Sequence, residues 1–138
     1  MAFKRLFIDS DVQLDLLLNR EPFHFHSQVL LLESFKNGII LNTSALIIAN
    51  INYILSKQVG SKTSREKITD LIKTIKVLPL ESDIVDMALA SDFADFEDAM
   101  QFFIAVRYSC DAIITRNIKD YKHSTIPVLT PEQFLRQL

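Results

Sequence analysis

The chain has 138 residues, 49% hydrophobic and 23% charged, with a formal net charge of -2, which fits one soluble globular domain with a real core and excludes a globally basic nucleic-acid binder. A single cysteine, Cys110, excludes an internal disulfide and a cysteine-based zinc site, and reads as a small core residue. The apolar runs are too short to cross a bilayer and no basic segment with an apolar core opens the chain, so a cytoplasmic protein with no membrane partner is expected.

The first strand is expected over Arg5 to Ile8 and runs straight into two carboxylates, Asp9 and Asp11. A short helix over Val12 to Leu18 follows, then the loop NREP, then a longer helix from Phe23 to Phe35 that stops at Asn37-Gly38. These two helices carry more Leu and Phe than one helix face needs, which suggests deep burial or a dimer surface, with burial the first expectation. A second strand spans Ile39 to Leu41. Thr43 or Ser44 then caps a helix through Lys57, with Ile47, Ile51, Ile54 and Leu55 on its buried stripe. Thr63-x-x-Glu66 matches a capping box for a helix to about Ile75, and Val77 to Leu80 reads as a third strand. Ser82 caps a helix through Ala90, and Asp95 with Asp98 opens another through Tyr108. Ala112 to Thr115 and Ile126 to Leu129 complete the strands. Thr130-Pro131-Glu132-Gln133 combines a cap, a first-turn proline and a capping-box glutamine, and so starts the last helix.

Strands alternating with helices predict a single α/β domain over residues 1–138, its central sheet mostly parallel and covered by helices on both faces. Ligands of such folds sit beyond the carboxyl ends of the strands. Asp9 ends the first strand, TRN at 115–117 follows the fourth, and Asp98 lies in a helix first turn that can point at both. By itself Asp98 reads as an ordinary helix-start acid. Gathered at strand ends, however, acids repel one another unless a divalent cation joins them, and Mg²⁺ or Mn²⁺ prefers a few carboxylate or amide oxygens plus water. Arg107, Arg116, Lys119 and Lys122 cluster in sequence around this place and are candidate contacts to RNA phosphates, although each alone reads equally well as solvated surface. His24 and His26 point to different helix faces and, like His123, get no catalytic role; no nucleophile elbow or phosphate-binding glycine loop occurs. The DSD of residues 9–11 also fits the strand-end aspartate motif of haloacid-dehalogenase-type phosphatases, but Gln13 occupies its required Thr/Val position.

Across nearly its whole length the chain resembles the PIN-domain ribonucleases, the family that includes the toxins of many bacterial toxin–antitoxin pairs. FIDSDVQLDLLLNREPF resembles the opening strand and first helix, TSALIIANINYIL the next helix, DFEDAMQ the segment with a further site acid, and CDAIITRNIKDY…IPVLTPEQFL the closing strands and helix. The resemblance implies metal-dependent hydrolysis of RNA phosphodiester bonds by an activated water, with Mg²⁺ or Mn²⁺ as cofactor, RNA as substrate, and an antitoxin and a second copy of the chain as partners. It places the family's metal aspartates on Asp9 and Asp98 and its fourth acidic position on Asn117; Asp9, Asp98 and Asn117 are thus the catalytic candidates. Asp11 stands where Asn is more usual, and Asn50 where a metal-binding Glu is often found. Asp11, Asp120 and Asn50 complete the expected metal set. The competing expectation is a PIN fold with a weakened cage that binds RNA or protein without cutting.

Overall fold

The computed structural model describes residues 2–138, in which five strands form one parallel sheet in the order β3-β2-β1-β4-β5. The strands are β1 (Arg5–Ile8), β2 (Ile40–Ser44), β3 (Ile75–Leu78), β4 (Ala112–Ile114) and β5 (Val128–Leu129). The helices are α1 (Ser10–Leu17), α2 (His24–Lys36), α3 (Ala45–Val59), α4 (Ser61–Leu71), α5 (Ser82–Leu89), α6 (Phe96–Arg107) and α7 (Pro131–Leu135), and a single 3-10 turn spans Ile118–Tyr121. Parallel strands need helical crossovers, and helices on both faces bury each strand twice. Strand β1 shows the result. Phe7 packs on one face with Ile113, Ile47, Ile51 and Ile104, whereas Leu6 and Ile8 pack on the other with Ala112, Ile114, Leu30 and Phe134.

Several element boundaries differ from expectation, each for a local reason. Pro79 has no N–H to give a ladder, so β3 ends at Leu78 and begins at Ile75, which pairs with Leu41. The expected box at Thr63 does not form. Gly60, at φ +88°, lets the chain leave α3 and enter α4 at once, which puts Thr63 inside the helix. Ser44 rather than Thr43 caps α3, accepting from the N–H of Ile47. The buried stripe of α3 is Ile47, Ile51 and Leu55, and Ile54 lies at the surface. At the other end of the chain the Thr130–Gln133 capping box forms in full.

The apolar excess of α2 is not absorbed by the core: Leu30 is buried, but Phe25, Leu32 and Phe35 are 60%, 61% and 87% exposed. Cys110 is buried and free, and desolvation pushes its thiol up to about 12, which leaves it an inert core side chain. Among the described residues no helix is long and apolar enough to cross a membrane.

Candidate active site

Asp9 leaves the carboxyl end of β1 and caps α1. One carboxylate oxygen accepts from the N–H of Ser10 at 2.8 Å; the other accepts from Thr115 Oγ1 at 2.9 Å and from the Tyr121 hydroxyl at 3.2 Å. With 8% of its surface exposed, this carboxyl is pushed up to about 6, first by burial and then by the charge of Asp11, against the pull of its three donors. Asp11, one residue into α1, faces the turn that follows β4. It accepts from the N–H of Arg116 at 2.9 Å and from Asn117 Nδ2 at 3.2 Å, and burial raises its pKa too.

Asp98 approaches from α6. Asp95 caps that helix by accepting from the N–H of Asp98 at 2.9 Å, and this leaves Asp98 half-buried in the first turn. Its own carboxylate accepts no hydrogen bond among the described residues. Burial, then the charges of Asp95, Asp9, Asp120 and Glu97, push it up to about 7. The carboxyl ends of β1 and β4 thus meet the start of α6 at a knot of acids in which Asp9, Asp11 and Asp98 resist ionisation.

The other expected site residues divide. Asp120 is exposed and close enough for its charge to act on Asp98. Asn117 turns its amide N–H₂ to Asp11. Asn50 spends its amide on a neighbour of Asp98: its Nδ2 donates to Glu97 Oε2 at 3.1 Å, across from α3 to α6. Among the described residues no three His, Cys, Asp or Glu side chains close into a metal cage. A hard divalent cation keeps several waters and asks for one or two carboxylates, and the paired acids with an unsatisfied Asp98 fit that requirement.

The four expected cationic contacts also divide. Arg107 does not reach the acids. Helix α6 carries it about 14 Å along the axis from Asp98, and it forms a two-point ion pair with Asp83 while also touching Glu81. Arg116 lies beside the acids, but its guanidinium turns inward: Nε and Nη2 donate to Asp15 at 2.6 and 3.1 Å, and the plane stacks 3.8 Å over the Phe23 ring. Lys119 and Lys122 are exposed on and just after the 3-10 turn and have no ion-pair partner among the described residues.

The PIN-domain family model matches residues 5–119, most of the chain and all the segments that carry these acids except the last turn. The chain belongs to the PIN-domain family. Among curated proteins it is similar to ribonuclease VapC1 of Aquifex aeolicus (strain VF5), 27% identical over 139 residues that cover 97% of this chain and 95% of that protein. Among solved structures, DNA-bound VapBC from Salmonella typhimurium superposes with a TM-score of 0.70 at 11% identity, covering 93% of this chain and 98% of that one. The VapC20 toxin of Mycobacterium tuberculosis, described as cleaving the sarcin-ricin loop, gives 0.62 at 14%, covering 78% and 86%. At such identities the structures speak for the PIN fold alone, and they agree on its parallel α/β sheet.

The raised carboxyl pKa values have a measurable consequence for stability. Asp9 at about 6 and Asp98 at about 7 hold protons in the folded chain that the unfolded chain, near 3.8, has already released. Where the native state binds more protons, stability falls as pH rises, here from about pH 4 through 6 and 7. We expect metal-free protein to lose melting temperature between pH 5 and 8, and Asp98→Asn to lose less. Scanning fluorimetry in chelator checks this, and equal losses in the two proteins would contradict the assignment.

Proposed function

We propose that the protein is a divalent-metal-dependent endoribonuclease, with Mg²⁺ or Mn²⁺ held by Asp9 and Asp98. The observation that carries this reading is the half-buried Asp98 carboxylate, without a donor of its own, set against Asp9 at the carboxyl ends of parallel strands. A bound cation supplies an activated water and steadies the charge that develops on a phosphodiester. The protein's part is orientation: Thr115 and Tyr121 fix one oxygen of Asp9, and the Ser10 N–H fixes the other. Asn117 supports Asp11 and Asp120 adds charge beside Asp98. No covalent intermediate with phosphorus is expected.

The curated relative's name, ribonuclease VapC1, supports an RNA substrate, and the VapBC assemblies among similar structures support an antitoxin partner for this chain. The exposed Phe25, Leu32 and Phe35 give a protein partner, or a second copy, apolar area to cover. The deciding experiment is cleavage of structured and single-stranded RNA with Mn²⁺ and with chelator. Cleavage only with metal supports the enzyme. RNA binding without cleavage favours instead a module whose cage is too weak to cut, the reading that Asn50 and Asn117 at acidic positions suggest.

Of the four expected cationic contacts, Lys119 and Lys122 are then the two left to meet the RNA backbone. Converting both to Ala should raise KM and, at about 0.7 per contact for single strands, flatten the slope of log affinity against log salt by roughly 1.4. An unchanged slope in a filter-binding titration would remove both lysines from the interface.

A further inference from the structure

Asp15 is the most thoroughly buried charge near the site, with 1% of its side chain exposed, and the ribonuclease reading leaves it without a task. It lies on α1 one turn beyond Asp11, so that Asp9, Asp11 and Asp15 present themselves in succession to the same short segment, Thr115-Arg116-Asn117. Each of the three acids holds a different part of that segment. Asp9 takes the Thr115 hydroxyl at 2.9 Å, Asp11 takes the Arg116 N–H at 2.9 Å, and Asp15 takes the Arg116 guanidinium at two points, 2.6 and 3.1 Å. Thr115 Oγ1 also accepts from the N–H of Asn117 at 3.0 Å, which closes the segment on itself. Below the guanidinium the Phe23 ring fixes its plane, and Arg20 Nε approaches Asp15 Oδ1, the oxygen that also takes Arg116 Nη2, at 3.1 Å.

We propose that Asp15 is a positioning residue: through Arg116 it sets the Thr115–Asn117 turn, and through that turn the carboxylates of Asp9 and Asp11. The physical basis is stiffness. A planar guanidinium held bidentately and stacked has little freedom, whereas the turn between β4 and the 3-10 helix has no sheet partner of its own beyond Thr115. The same geometry reassigns Arg116 from an RNA contact to a strut. The inference rests on the proposed metal site.

The test uses full-length Asp15→Asn and Arg116→Lys, with Mn²⁺ affinity by calorimetry and steady-state RNA cleavage. Arg116→Lys keeps the positive charge and one bond to Asp15 but loses the two-point, stacked geometry, so it separates the two roles. Positioning predicts Mn²⁺ binding weakened at least about tenfold, as for other groups that orient a metal ligand, and lower kcat at unchanged KM in both variants. Mn²⁺ affinity and kcat within twofold of wild type would overturn the proposal, as would a defect confined to KM. Arg116→Lys carries the test alone should Asp15→Asn fail to fold. Wild-type protein that binds Mn²⁺ yet cuts no RNA would overturn the ribonuclease reading while leaving this one standing on affinity; absence of Mn²⁺ binding would overturn both.

Discussion

Asp98→Asn is expected to lower metal-dependent RNA cleavage by at least about a hundredfold, because even groups that only orient a metal ligand are worth ten- to a hundredfold. The same substitution should raise the melting temperature of metal-free protein at pH 8. Both directions follow from one fact. Asp98 is pushed up to about 7 by burial and by the acids around it, so at pH 8 the folded chain carries an ionised carboxylate it would rather protonate. An amide of equal shape relieves that repulsion but binds a hard cation less strongly than the anionic oxygen it replaces. Protons and metal compete for Asp98, so the Mn²⁺ affinity of wild type should rise with pH toward about 7 as the metal-free carboxyl gives up its proton, and the variant should lack that part of the rise. Activity lost together with stability would point to a folding role instead, and full activity would take Asp98 out of the site.

How much of this was legible depends on whether a residue's role is local in sequence. Asp9 announced itself as an acid that ends an apolar strand, and Asp98 as an acid in a first helical turn; both signals need only neighbours a few positions away. The last helix was equally plain, since Thr130, Pro131 and Gln133 are consecutive parts of one cap. Strand β3 slid by two residues because its end is set by the missing N–H of Pro79 and its start by pairing with β2, which hydrophobicity cannot see. Arg107 failed for a related reason. It is near Asp98 along the chain, but a rigid helix spends that separation as distance. Asn50 sits beside the site yet looks across to Glu97, a partner 47 positions away. Tyr121 carried no sequence signal as a donor to Asp9, since nothing in IKDYK tells a buried hydroxyl from a surface one. Asp15 does carry one: an acid among Leu14, Leu16 and Leu17 on a short helix needs a partner wherever it is buried.

That partner set yields the largest expected stability effect. Asp15 is 1% exposed, whereas the side chains of Arg116 and Arg20 are 28% and 39% exposed, so the guanidiniums can turn to water and the carboxylate cannot. Arg20→Ala should cost less than about 1 kcal/mol, as for partly solvated ion pairs, because its nitrogen approaches Asp15 without the alignment of a hydrogen bond. Arg116→Ala removes two charge-assisted bonds and should cost roughly 1.5 to 3 kcal/mol. The double variant strands a buried charge, and its loss should reach about 3 to 5 kcal/mol. The double should cost more than the two singles measured separately add up to, since each arginine covers for the other and neither single variant leaves Asp15 unpaired. Adding Asp15→Leu to the double variant removes the stranded charge and fills its place among apolar neighbours, so much of the loss should return although no ion pair has been rebuilt. Urea unfolding of the four variants beside wild type checks the series. A triple variant no more stable than the double would mean that the arginines act through packing on Phe23 and α1 rather than by neutralising Asp15.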